Sequence, residues 1–126
     1  MGKFVMRKTD TGIVFHLKAG NGEIIATSEV YKSKASCLNG IESIKENAPK
    51  AKLEDQTLEH FEKVTNPKFV IYTAKDESFR FHLTAVNGEI IAVSQGYTAK
   101  QSCTDGIHSV RENAPAAIVQ DDTDKE

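Results

Sequence analysis

Apolar and polar residues alternate along two stretches of the chain, and this alternation predicts β-strands. Residues 13–19 read IVFHLKA, so apolar side chains fall on every second position, and residues 79–85, FRFHLTA, repeat the pattern. A period of two places one apolar and one largely polar face on the same strand. This is typical of an antiparallel sheet that is covered on a single side. A short apolar stretch precedes each run, Lys3–Arg7 or Lys68–Thr73, and predicts one more strand.

An Asn-Gly pair follows each alternating run and predicts a β-hairpin. Asn21-Gly22 and Asn87-Gly88 are both followed at once by the apolar residues of Glu-Ile-Ile-Ala. Both residue types tolerate the positive φ angles of a type I′ turn, which joins antiparallel strands with the correct twist. Each of the two stretches, together with the short strand before it and the Ile-Ile-Ala strand after it, is therefore predicted to be a three-stranded meander; we call the two stretches the first and second copy.

A helix is predicted after each meander. Apolar residues recur there at spacings of four, three and four, which places them on one helical face. These residues are Cys37, Ile41, Ile44 and Ala48 in the first copy and Cys103, Ile107, Val110 and Ala114 in the second. Ser33 is the expected N-cap of the first helix. For the second we expect Thr98, with Gln101 reaching back to it. Pro49 and Pro115 are expected to end the helices.

Glycine lies inside both predicted helices, on the buried stripe. Gly40 and Gly106 each cost a helix about 1 kcal/mol relative to alanine. We expect this cost to be offset by a close approach of the helix backbone to the sheet. A larger side chain would then overpack the contact.

These patterns occur twice because the chain is internally duplicated. Residues 15–49 and 81–115 are identical at 22 of 35 positions. Such a repeat is one supersecondary unit that needs its neighbour to bury its apolar face. The predicted fold is α+β, with two tandem β-β-β-α repeats related by a pseudo-twofold and an antiparallel sheet with both helices packed on one face. Because both repeats lie in one chain, we expect a monomer.

The repeats set the expected boundaries within a single compact domain. Repeat one covers about 3–53, a connector 54–66, repeat two about 67–119 and a disordered acidic tail 120–126. Part of the connector is expected to form a turn of helix. Residues 51–53 and 117–119 are extended pieces that either add an edge strand or pack over a helix end.

Composition excludes several functional classes. The chain has 126 residues and a formal net charge of −2, which lacks the strong basic excess of a dedicated nucleic-acid binder. No apolar run approaches the length of a membrane span, and the first residues have no signal-peptide pattern, so we expect a cytoplasmic protein without a membrane partner. Cys37 and Cys103 lack metal-site spacing and are expected to be buried thiols, so no metal and no cofactor is expected.

The polar face of the predicted sheet carries the candidate binding residues. They are His16, Lys18, Tyr72, Arg80 and His82. Arg7, Ile25 and Ile91 are expected on the same face. Two histidines related by a pseudo-twofold could converge on a metal or an anion, but no third ligand stands at suitable spacing. Aromatic and basic groups on an open sheet also suit single-stranded RNA, and a partly apolar face suits a protein partner.

Several short motifs together resemble the YegP-like family of small prokaryotic proteins, which is built on a domain of unknown function. They are Phe15-His16-Leu17, Asn21-Gly22-Glu23, the Ser-Cys-x-x-Gly-Ile-x-Ser pattern at 36–43, and Glu46-Asn47-Ala48-Pro49, each with a counterpart in the second copy. The resemblance covers most of residues 3–119. It implies two β3α units that share one sheet, with each helix placed against the other unit's strands. It implies no catalytic residue, substrate or cofactor.

Function therefore stays open at this stage among three hypotheses. We expect a non-catalytic binding or interaction module, because the chain has no phosphate-binding glycine loop, no nucleophile elbow and no HExxH motif. The alternative is weak binding of single-stranded RNA on the open sheet face. The third hypothesis is binding of a small anion or metabolite, and none of the three identifies a partner.

Overall fold

The computed structural model describes residues 2–124. It contains one eight-stranded sheet and two helices. The first repeat contains β1 (Lys3–Lys8), β2 (Ile13–Lys18), β3 (Ile24–Thr27), α1 (Lys34–Asn47) and β4 (Lys52–Asp55). The second contains β5 (Lys68–Thr73), β6 (Phe79–Thr84), β7 (Ile90–Val93), α2 (Lys100–Asn113) and β8 (Ile118–Asp121). This confirms the α+β class and the two tandem repeats.

The repeats meet at the centre of the sheet. The strand order is β4-β5-β6-β7-β3-β2-β1-β8, so each meander is preserved and the two third strands lie side by side. Thr27 of β3 pairs with Val93 of β7 at this junction. The pairings on either side mirror each other residue by residue, which places the pseudo-twofold axis between these two strands.

Each repeat gives its fourth strand to the other repeat. Strand β4 pairs in parallel with β5, and β8 pairs in parallel with β1. Of the two alternatives for the extended pieces after the helices, the edge strand is therefore correct. Arg111 of α2 strengthens the exchange, since its Nη2 donates a hydrogen bond to the carbonyl of Ala51, just before β4, at 2.7 Å.

The helices cover one face of the sheet and bury the predicted stripes. Helix α1 packs on β2 of its own repeat and on β7 of the other, while α2 packs on β6 and β3. All eight stripe residues are buried and join the inward residues of both meanders in one continuous core. None of the helices within residues 2–124 is long and apolar enough to span a bilayer.

Both helical glycines lie against aromatic side chains. A Cβ atom on Gly106 would lie 2.7 Å from Tyr97 Oη and 3.1 Å from Phe81 Cε2. At Gly40 the equivalent atoms belong to Tyr31 and Phe15. As expected, glycine permits a close approach, and the tyrosine ring fills the space that a side chain would need.

Two local predictions were wrong. The Asn-Gly hairpins form, but only the glycines have positive φ, 88° for Gly22 and 86° for Gly88. The Gly22 N–H donates to Ala19 O at 2.9 Å and the Ala19 N–H donates to Glu23 O at 2.9 Å, which makes a three-residue loop with a bulge at the glycine. Thr98 is also not a cap: Ala99 is the N-cap of α2 and makes no side-chain cap bond, whereas Ser33 caps α1 as predicted.

The predictions for the connector and the tail also need correction. Strand β4 continues through Asp55, and residues 56–67 contain turns but no turn of helix. The tail is not disordered from residue 120, because Gln120 and Asp121 belong to β8 and Thr123 is buried. Residues 125–126 of the predicted tail lie outside the described residues.

Ile25 and Ile91 do not lie on the open face. Both are buried on the helix side, because the pairing register shifts by one residue after Leu17 and after Leu83. A bulge lets two consecutive residues of one strand face the same side. Ile24 and Ile90 occupy the open face instead, opposite Lys18 and Thr84.

Candidate functional site

The sheet face away from the helices carries all five predicted binding residues, but in two separate groups. Along the central row of this face, His82 pairs with Val93, Val93 with Thr27, and Thr27 with His16. The two histidines are thus three strand spacings apart, roughly 14 Å. They do not converge on one ligand. No group of three or more potential metal ligands occurs within residues 2–124.

The second-repeat group is engaged within the protein. The Tyr72 and His82 rings pack against each other with their centroids 5.6 Å apart. Arg80 forms an ion pair with Asp76 at 3.7 Å and donates a hydrogen bond from Nε to Ser78 Oγ at 3.3 Å.

The connector covers the outer part of the second-repeat face. Glu54 on β4 is only 2% exposed and accepts hydrogen bonds from Lys68 Nζ at 2.9 Å, from Gln56 Nε2 at 2.6 Å and from the Val64 N–H at 3.0 Å. These donors, led by Lys68, lower the pKa of the Glu54 carboxyl to about 2. A buried carboxylate therefore holds both ends of the connector against the sheet.

The connector's last residues close the same face beside β6. Thr84 donates a hydrogen bond to Asn66 Oδ1 at 2.6 Å, and Thr84 is itself buried. The first repeat has Lys18 at this position. This cover was not predicted from the sequence. Two differences between the repeats accompany it: Thr84 stands where the first repeat has Lys18, and Glu54 stands where the second repeat has Gln120.

The equivalent face of the first repeat holds an open cavity of about 550 Å³. We call it the first-repeat groove. Its lining includes Val5, Arg7, Lys8, His16, Lys18 and Ile24. In the strand register Val5 lies opposite His16, so Arg7 and Lys18 stand on either side of the histidine on the same face.

The charges in the first-repeat groove differ from those of the second repeat. Within residues 2–124, Arg7, Lys8 and Lys18 form no ion pair with a carboxylate. Two acidic residues also line the groove. Asp10 is exposed in the β1–β2 turn, and Asp122 accepts two hydrogen bonds from Gln120 Nε2 at 3.1 and 3.0 Å. The lining therefore keeps a net positive charge.

His16 is the central polar group of this groove. Its Nδ1 atom lies 3.1 Å from Thr27 Oγ1 on the neighbouring strand. Partial burial lowers its pKa below the ordinary value of 6.5, and the nearby charges of Arg7 and Lys18 lower it further. The imidazole is consequently mostly neutral at pH 7 and becomes a stronger donor when an anion stabilises its protonated form.

Other polar and reactive groups are engaged or inaccessible. Burial raises the pKa of the Cys37 and Cys103 thiols to about 11, which leaves them protonated and unreactive. The hydroxyls of Ser43 and Ser109 each lie 3.1 Å from the side-chain nitrogen of an asparagine one turn later. His60 and His108 are exposed.

These features define a class: small α+β proteins built from two tandem β-β-β-α repeats that exchange their fourth strands. The chain belongs to the family described as a domain of unknown function, DUF1508, whose model matches residues 9–55 and 74–121. The resemblance to the YegP-like family is thereby confirmed.

Relatives match along nearly the whole chain. A UPF0339 protein of Bordetella pertussis is 42% identical over 122 residues, covering 97% of this chain and 96% of the relative. The UPF0339 protein YegP of Escherichia coli O157:H7 is 41% identical over 117 residues, covering 93% of each.

Two solved structures share the fold. The solution NMR structure of a UPF0339 protein from Shewanella oneidensis has a TM-score of 0.81 at 33% identity, covering 99% of this chain and 94% of that one. The NMR structure of YegP from E. coli has a TM-score of 0.80 at 37% identity, covering 99% and 96%. The family is described as one of unknown function.

Proposed function

We propose that the protein is a non-catalytic binding module and that the first-repeat groove is its ligand site. One observation carries the proposal: among residues 2–124 the cations of this groove form no ion pair with a carboxylate, while the second-repeat cations Lys68 and Arg80 are paired with Glu54 and Asp76. Unpaired cations in a cavity of about 550 Å³ favour a small ligand, because pockets for small molecules have about this volume.

The absence of catalysis is part of this proposal. A nucleophile needs a neighbouring base or a lowered pKa. The two thiols are buried with raised pKa values, and Ser43 on α1 and Ser109 on α2 are next to asparagine amides rather than to a base. His16 in the groove lies 3.1 Å from the Thr27 hydroxyl. A catalytic pair also needs an acidic group that orients the histidine, whereas the charged neighbours of His16 are Arg7 and Lys18.

Single-stranded RNA is a less favoured occupant of the sheet face. Its stacking platform would be Tyr72 with Arg80, and both side chains already have partners in the protein. RNA binding there would have to break the Tyr72–His82 ring contact and the Arg80–Asp76 ion pair. A protein partner is tested by the same experiment as a small ligand, since either would perturb the groove residues.

The proposal is tested by mapping ligands onto the protein with ¹⁵N-labelled chain and amide chemical shifts. A library of small charged and neutral compounds should contain members that shift the amides of Val5, His16 and Lys18. The matched internal control is the equivalent set in the second repeat: Val70, His82 and Thr84. If no small compound, oligoribonucleotide or native-lysate fraction shifts the groove amides, the proposal is wrong. Equal shifts in both repeats would also contradict it.

A further inference from the structure

The ligand chemistry of the first-repeat groove follows from which cations face it and how they are spaced. This step rests on the proposed function. Arg7 on β1 and Lys18 on β2 flank His16, and all three point to the face away from the helices. Arg7 is the diagonal cross-strand neighbour of His16, and Lys18 is its next-but-one neighbour on β2, so each lies about 7 Å from it, which long side chains span easily. One small anion above His16 is therefore within reach of all three groups.

The three groups differ in a way that suits an oxyanion with several oxygens. The Arg7 guanidinium offers a planar fork that can bind two oxygens at once, and the Lys18 ammonium supplies a compact charge. His16 has Nδ1 near Thr27, which leaves Nε2 to bond a third oxygen. A single carboxylate has only two oxygens and cannot use all three donors equally.

The groove also has an apolar part beside the cations. Ile24 supplies this part with a side chain that is 43% exposed, while Val5 lines the cavity but is only 3% exposed. Apolar surface next to a charged cluster suits a molecule with an anionic end and a carbon skeleton. Inorganic anions alone would leave this surface uncovered.

A nucleic-acid backbone fits these observations less well than a small molecule. A strand would need a basic path that continues beyond the groove. Across the sheet centre the open face continues with Thr27, Val93 and then the covered second repeat, where Lys68 is bound to the buried Glu54. The chain as a whole carries a net charge of −2.

We infer that the first-repeat groove binds the phosphate group of a small phosphomonoester, with Arg7, His16 and Lys18 as its donors. The ester's carbon skeleton then lies over Ile24, the exposed apolar side chain of the groove. Asp10 and Asp122 at the border disfavour ligands with extended negative charge and restrict the site to a single phosphate.

The experiment titrates ¹⁵N-labelled protein with methyl phosphate, phenyl phosphate, acetate and a ten-nucleotide oligouridylate at low ionic strength. The variants are Arg7→Gln and Lys18→Thr, the latter taking the residue of the second repeat. The control is Arg80→Gln, because Arg80 lies outside the groove. Well-dispersed amide spectra verify that each variant is folded.

We expect saturable shifts at Val5, His16 and Lys18 with both phosphate esters. Phenyl phosphate should bind more tightly than methyl phosphate because its ring covers Ile24. Arg7→Gln and Lys18→Thr should each weaken binding about tenfold, the loss typical of one charge-assisted hydrogen bond, and Arg80→Gln should change it less than twofold. The His16 pKa, followed by the ring carbon signals, should rise on saturation.

Three outcomes would overturn the inference. Acetate could bind as tightly as methyl phosphate, the oligouridylate could bind more tightly than phenyl phosphate, or the esters could leave the groove amides unshifted. If another library compound shifts those amides while the esters do not, the phosphate assignment fails and the binding module stands. If nothing shifts them, both proposals fail together.

Discussion

Replacing Gly106 by alanine should destabilise the protein, although alanine is the better helix former. At an unhindered helical site this change stabilises by about 1 kcal/mol. Here the new Cβ would lie 2.7 Å from Tyr97 Oη, well inside the 3.4 Å at which ordinary contact begins. Overpacking of a filled core typically costs about 1–3 kcal/mol. The expected balance is a loss of about 1 kcal/mol, or about 4 °C in Tm for a chain of this size.

A double-mutant cycle identifies the cause. In a Tyr97→Phe background the hydroxyl is absent, and the remaining close contacts of the alanine Cβ are with Phe81 Cε2 at 3.1 Å and with the ring Cζ at position 97 at 3.3 Å. The cost of Gly106→Ala should therefore fall by at least about 0.5 kcal/mol in that background. Gly40→Ala should cost more than Gly106→Ala, because the Tyr31 ring carbon Cζ would lie 2.7 Å from the new Cβ, against 3.3 Å for the same atom of Tyr97.

The measurement is urea unfolding followed by circular dichroism, with thermal melting as a second readout. The control is Asn39→Ala, an exposed position of α1 beside Gly40, which should stabilise slightly through helix propensity. The reasoning is refuted if Gly106→Ala is as stable as the wild type. It is refuted equally if the loss is the same with and without the Tyr97 hydroxyl.

Three further predictions concern the caps, the buried carboxylate and the assembly. Ser33→Ala should cost about 1 kcal/mol in urea unfolding, while Thr98→Ala should stay within about 0.5 kcal/mol of the wild type, because Ser33 accepts the Ser36 N–H at 3.1 Å and Thr98 caps nothing. Equal losses would contradict this. The lowered pKa of Glu54 stabilises the fold above pH 4.5, and the effect is lost as pH falls towards 2. The free energy of unfolding of Glu54→Gln should thus fall less steeply with decreasing pH than that of the wild type. Parallel pH profiles would show that the Glu54 carboxylate does not contribute to acid sensitivity. Light scattering should give a monomer mass at all concentrations, since each repeat completes the other's sheet; a dimer mass at micromolar concentration would contradict this.

Local periodicity predicted the elements and their buried faces because it reports burial directly. Alternation placed Phe15 and Leu17 inward, and helical spacing placed Cys37 and Ile41 inward, as the structure has them. The third strands were predicted with the wrong face. Because of the bulge, Ile24 faces the open side and Ile25 faces the helices, the reverse of what was predicted for Ile25. Neither alternation nor composition distinguishes the two isoleucines.

The exchange of fourth strands could not be predicted from local pattern. Strands β4 and β8 have four residues each, too few to specify a partner by their own alternation. Helix geometry determines the pairing instead. A helix of 14 residues is about 21 Å long, roughly four strand spacings. Since α1 packs on β2 and on β7, it carries the chain past the centre of the sheet, and β4 starts beside the other repeat.

The five candidate binding residues were correctly placed on the open face, but the difference between the two halves of this face was not predicted. His16 and His82 were correctly placed on one face by alternation. Their surroundings depend on contacts that are distant in sequence, such as the bond from the Val64 N–H to Glu54 and the bond from Thr84 to Asn66. A sequence pattern does not show that a connector folds back over one repeat.

The strand exchange also means that one repeat alone cannot form the first-repeat groove. The strand that pairs with β1 on its outer side is β8, which belongs to the second repeat, and Gln120 of β8 accepts a hydrogen bond from Lys3 Nζ at 3.0 Å. Asp122, just beyond β8, lines the same cavity. On the second-repeat face, Glu54 stands at the position equivalent to Gln120. Its carboxylate forms an ion pair with Lys68 and accepts hydrogen bonds from Gln56 and Val64 of the connector. The first-repeat face therefore has a neutral amide where the second-repeat face has a buried carboxylate, and this carboxylate together with Thr84 binds the connector residues that cover the second-repeat face.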